Sequence, residues 1–160
     1  MKQASLSKWL KLAILGVGIC VVVVYALGIP ALGQTVAKVE NGAFDYCFWP
    51  WLIFLWITGI PILAALVLAW KIASHIGADR SFTLENAALL KGIACLAAGD
   101  AGFFLIGNFV LWFLNRNHPS IVLFSMLVVC LGAAIAVAAA ALSHLVKKAA
   151  ALQEQSDWTI

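Results

Sequence analysis

Charge is scarce in this chain. Ten Lys and Arg and seven Asp and Glu are spread over 160 residues, so 11% of the chain is charged against 64% hydrophobic, and the mean hydropathy is +1.03. Such a composition excludes a soluble globular domain. Cysteine is sparse as well: Cys20, Cys95 and Cys130 lie inside apolar stretches and only Cys47 lies near the outer face. An intrachain structural disulfide and a paired redox thiol centre are both disfavoured. His75, His118 and His144 all fall at the ends of apolar stretches, which speaks against a haem-binding bundle. Zinc-ligand spacing, a nucleophile elbow and a phosphate loop are missing too. The expectation is a protein that is not an enzyme, with no cofactor, no metal and no direct nucleic-acid contact.

Long apolar runs are what the chain does have. Four of them, about 12–29, 48–70, 93–114 and 121–142, are each long enough or nearly so to cross a bilayer as a helix. The reading is an all-α, integral membrane four-helix bundle, one transmembrane domain over residues 1–160 with a tail from 143 to 160. Lys2, Lys8, Lys11, Lys71, Arg80, Lys91, Lys147 and Lys148 fall on one side, and Lys38 and Arg116 on the other. The positive-inside rule therefore places the N and C termini in the cytoplasm of a multi-pass protein of the bacterial cytoplasmic membrane. A cleavable signal peptide is disfavoured, because the first apolar run exceeds the usual h-region.

Taken in order, the first span has Gly16 and Gly18 as close-contact points, and Gly28 and Pro30 are expected to end it. In the outer loop, Ala31 to Cys47, Asn41-Gly42 is a hairpin signal that would set Val39 against Phe44 and Lys38 against Asp45. A short outer β-hairpin and an irregular loop both stay open. Phe44, Tyr46, Phe48, Trp49 and Trp51 open the second span, Trp70-Lys71 closes it, and Pro61 should kink it while freeing the carbonyl of Ile57. His75 reads as polar surface.

The third span carries the strongest local signals. Thr83 is placed to cap a helix from Leu84 to Leu114, with Glu85 at the positive end of the helix dipole and Asn86 at the third position. Asp100 is the one carboxylate within apolar sequence, and with Asn108 it makes a candidate intramembrane polar site. A bland role in helix packing is equally open to it. Ala94, Ala98 and Gly102 match Gly132, Ala136 and Ala140 of the fourth span in four-residue spacing, so these stripes should pack, with Asp100 facing the first two spans or another subunit. Helical rise sets Asp100 level with Gly18, Leu63 and Ile135, where no basic partner stands. Asp100 is thus expected to be neutral, or to reach water or a ligand. The tight turn Asn115 to Pro119 makes the third and fourth spans antiparallel neighbours, and the fourth helix should run on to about Gln155.

Arg80-Ser-Phe-Thr-Leu-Glu-Asn86 and the closing Leu152-Gln-Glu-Gln-Ser-Asp-Trp-Thr-Ile160, with four spans around them, resemble a bacterial family of small four-helix integral membrane proteins, domain-of-unknown-function family 2975. Trp158 stands where that family has an aliphatic residue. The resemblance implies a membrane component that restrains a small helix-turn-helix transcription regulator, and it carries no catalytic residues. The first functional expectation is accordingly a regulatory or scaffolding membrane protein. It would dock a partner through Arg80, Phe82, Glu85, Asn86, Asp157, Trp158 and Ile160. The alternative is a small transport or channel subunit using Asp100 as a protonatable site, which with four spans calls for a homo-oligomer.

Overall fold

The computed structural model describes residues 3–39, 48–117 and 119–157, all of it helix or short connection, with no strand among the described residues. The elements are α1 (Gln3–Val23), a π-helical segment (Val24–Gly28), α2 (Ile29–Val39), α3 (Phe48–Gly77), α4 (Leu84–Phe113) and α5 (Pro119–Asp157). α1, the π segment and α2 follow one another without a break, so the chain makes four helical passes, each long and apolar enough to cross a membrane.

Gly28 and Pro30 do not end the first pass. Pro30 lacks the N–H that α geometry requires, and the helix absorbs the defect by widening: the N–H of Ile29 reaches back five residues to the carbonyl of Val24. The helix then runs on to Val39. Lys38 and Val39 are therefore helical rather than one arm of a hairpin, while Asn41-Gly42, Phe44 and Asp45 lie outside the described residues. α3 likewise continues seven residues beyond Trp70, to Gly77, and Pro61 lies inside it. α4 starts and stops almost where its cap and apolar run place it.

Packing follows chain order. α1 lies on α3, α3 on α4 and α4 on α5, with no extensive contact from α5 back to α1 or α3 among the described residues. The bundle is thus open. The first pass and α3 run antiparallel in steady register: a Cβ on Gly77 would touch Ser7, one on Gly18 would touch Leu66, one on Gly59 would touch Tyr25, and one on Gly33 would touch Phe48 and Trp51. α3 meets α4 through Leu68 on Gly92 and through Phe54, whose ring fills the place of a Gly107 side chain and stacks on Phe104 at 5.8 Å.

The α4–α5 seam is the tightest, and it repeats every seven residues rather than every four. Ala87, Ala94 and Asn108 are buried along α4, and Val122, Ser125, Ala136 and Ala150 along α5. Gly132 packs on Ala101, where an added Cβ would lie 3.1 Å from that of Ala101. Ala98 and Ala140 face outward, and Gly102 has open space beside it. A seven-residue repeat is what two long helices need to stay in contact over many turns, because it follows the seam between them. α5 outruns its partner. Ser143 pairs with Ala87, so α5 continues about 16 Å past the first turn of α4 at 1.5 Å per residue.

Candidate functional site

Two groups of polar side chains stand out. The first is at the end of the bundle where α3 turns into α4. The side chain of Thr83 accepts the N–H of Asn86 at 3.2 Å and caps α4 as its position requires. Asn86 then does more than a third helical position asks. Its Nδ2 donates to the carbonyls of Arg80 and Ser81, both at 2.9 Å, which fixes its Oδ1 as the acceptor from Nδ1 of His75 at 2.7 Å. Nε2 of that ring faces Glu85 Oε1 at 3.7 Å. The N–H of Arg80 returns to the carbonyl of His75 at 3.0 Å, and Asp79 takes the left-handed conformation at φ 61° to let the chain reverse.

The other helices are fastened to the same corner. Ser7 Oγ donates to the carbonyl of Ala73 at 2.6 Å, and Ser143 Oγ to that of Ala87 at 2.7 Å. His75 is thus a half-buried strut, not polar surface. Asn86 is 1% exposed with its side-chain groups all engaged, so it holds the loop from within instead of facing a partner. Arg80 and Glu85 point outward, and Phe82 and Leu84 are each 57% exposed. Asp157 is the last helical residue of α5; its side chain, Trp158 and Ile160 lie outside the described residues.

The second group is within the membrane-spanning part. Because Ile29 bonds to Val24, the carbonyl of Tyr25 loses its usual partner, and the next position in π register is Pro30, which has no N–H to give. Trp56 Nε1 donates to that carbonyl at 3.1 Å. Thr58 Oγ1 donates to the carbonyl of Leu55 at 2.7 Å and therefore accepts from the Tyr25 hydroxyl at 3.1 Å. The Asp100 carboxyl is near enough to Tyr25 to interact with it electrostatically, and its Oδ1 is buried with no hydrogen-bond partner among the described residues.

Asp100 does face the first two passes, but not at the level that counting from hydropathy edges gave. The register of Leu68 with Gly92 and Phe54 with Gly107 sets it beside Ile60 and Pro61, and so beside Tyr25 rather than Gly18. Helix packing, not the apolar boundary, fixes depth.

Asn108 does not join this group. It is 2% exposed, donates to the carbonyl of Phe104 at 2.8 Å and accepts from Asn117 Nδ2 at 3.0 Å, which ties down the turn after α4. Cys20, Cys95 and Cys130 are free and face outward, Cys47 and His118 lie outside the described residues, and no three His, Cys, Asp or Glu converge among the described residues.

No solved structure matches the chain. It is 26% identical over 154 residues to the uncharacterized membrane protein YoaS of Bacillus subtilis (strain 168), covering 95% of this chain and 96% of that protein. The family model described as protein of unknown function (DUF2975) matches residues 35–160, so this four-pass helical chain belongs to that family of membrane proteins.

Proposed function

We propose that this is a regulatory or scaffolding protein of the bacterial cytoplasmic membrane that holds a soluble partner at the α3–α4 corner. The observation that carries the reading is a contrast of internal fastening and exposure. A connection of six residues is bolted from inside by Asn86 and His75, yet it and the first residue of α4 present Phe82 and Leu84 to the surroundings between Arg80 and Glu85. Preorganised apolar side chains rimmed by charge cost little to order on binding. Beside them, the end of α5 extends past α4 and adds Lys147, Lys148 and Glu154 as exposed polar surface. The cations at this end, Lys8, Lys11, Lys71, Arg80, Lys91, Lys147 and Lys148, support its facing the cytoplasm. The partner in this reading is a small helix-turn-helix transcription regulator, sequestered while docked.

The test is co-purification of a small helix-turn-helix protein with the full chain, against a Phe82→Asp, Leu84→Asp double variant. Loss of the partner from the double variant supports the reading. Equal retention by both chains, or retention by neither, removes it.

A second reading has one observation in its favour, the buried Oδ1 of Asp100 beside Tyr25, without a hydrogen-bond partner among the described residues. In that reading the chain is a transport or channel subunit that works as a homo-oligomer, and Asp100→Asn abolishes proton- or ion-coupled flux in liposomes. Flux that survives the substitution rules it out.

A further inference from the structure

An apolar groove of about 470 Å³ runs along the outside of α1 and α3. Ile14, Gly18 and Val22 line one wall, and Leu63, Leu66 and Trp70 the other. There is room beside Gly18, where a Cβ would meet only Leu66 Cδ1 at an ordinary 3.8 Å. The groove has one polar end. Lys11 lies one turn before Ile14 on the same helical stripe, and its Nζ sits over the Trp70 ring, 5.5 Å from the centroid. Lys8 and Lys71 are close by in sequence, and neither α1 nor α3 contains a single acidic residue. The cations at this mouth therefore have no counter-ion on the two helices that form it.

The dimensions match one leaflet. Lys11 to Val22 covers about 17 Å of helix, against about 15 Å for half the hydrocarbon core. We propose that this groove is a binding site for an anionic phospholipid, with one acyl chain lying between α1 and α3 and the phosphate held by Lys11 at the Trp70 end. A zwitterionic lipid fills the same groove but brings its own cation to the mouth, so charge is what selects. Lys11 suits the role: its stem packs along apolar surface, its ammonium stays at the interface, and the Trp70 ring holds it in place.

The experiment is native mass spectrometry of the full chain, released from nanodiscs made with equal amounts of phosphatidylglycerol and phosphatidylcholine of identical acyl chains. The wild-type chain should retain phosphatidylglycerol about fivefold over phosphatidylcholine, the factor one lysine near an anionic headgroup supplies. Lys11→Gln should bring the ratio near one, Lys11→Arg should preserve it, and Gly18→Phe should lower retention of both lipids by filling the groove. Lys91→Gln, a lysine on α4 away from the groove, should change nothing. Lys11→Gln gives up only the contact with the Trp70 ring and leaves the apolar lining intact, so the test holds even where Gly18→Phe fails to fold. A wild-type ratio near one overturns the proposal, as does a Lys91→Gln effect equal to that of Lys11→Gln.

Discussion

Asn86→Ala is the substitution that asks most of the α3–α4 corner. It removes two donors that satisfy the carbonyls of Arg80 and Ser81 and the acceptor that holds His75, all at a position 1% exposed. Each such bond contributes about 1 kcal/mol net, and groups left buried without a partner cost more, so the loss should be about 3 kcal/mol. His75→Ala removes one of the three bonds and should cost about 1 kcal/mol, and in the double variant the two losses should fall short of additivity by a similar amount. Asn86→Asp is the sharper control. It keeps the acceptor for His75 but exchanges the two donated bonds for a carboxylate oxygen facing two carbonyls, and should be no better than Ala. The assay is reversible unfolding in mixed detergent and dodecyl sulfate micelles, followed by tryptophan fluorescence or circular dichroism. A loss below about 0.5 kcal/mol for Asn86→Ala, within the range of ordinary surface changes, would refute the claim that this side chain holds the corner together.

Gly107→Ala should destabilise by about 1 to 3 kcal/mol because the Phe54 ring occupies the place of the new methyl, whereas Gly102→Ala, which meets open space, should be neutral or slightly stabilising in the same assay. Trp56→Phe leaves the Tyr25 carbonyl without its donor and should cost about 1 to 2 kcal/mol, read as a lower midpoint in dodecyl sulfate. Ser143→Ala, which frees the Ala87 carbonyl already bonded within α4, should cost less than about 1 kcal/mol. Gly132→Leu should cost several times that, since the Ala101 methyl closes the seam there; equal effects would show that the seam has slack.

Local signals were legible in the sequence and cross-helix ones were not. Thr83 caps α4, Glu85 lies in its first turn, and α5 runs on past its apolar stretch to Asp157 because each rests on neighbours within a few residues. The antiparallel α4–α5 pair also follows from a short turn. His75 and Asn86 belong to two helices and meet only once the chain has reversed at Asp79, so no spacing announces them. Asn108 looked like an intramembrane polar residue because hydropathy cannot show that Asn117 folds back onto it. On α4 the seam lies one residue away from the four-residue stripe at Ala98 and Gly102, since Ala97, Ala98, Ala101 and Gly102 offer two adjacent faces of similar composition and only packing chooses between them. Pro30 looked like a stop because a proline does end an α-helix; the chain avoids that outcome by changing helix type for a turn.

That change of helix type has an arithmetic consequence. Past the wide turn it is Gly33 that lies buried against Phe48 and Trp51, while Leu32, seven residues after Tyr25, is 64% exposed. Regaining plain α geometry at unchanged length would turn the far half by about 100° and present Leu32 where only a glycine fits, whereas excising one residue together with the wide turn would bring Gly33 to seven residues after Tyr25 and keep it on the same face. The first pass therefore depends on its length and its wide turn together, and a one-residue deletion that also restores α geometry should disturb the seam with α3 less than straightening the turn at full length.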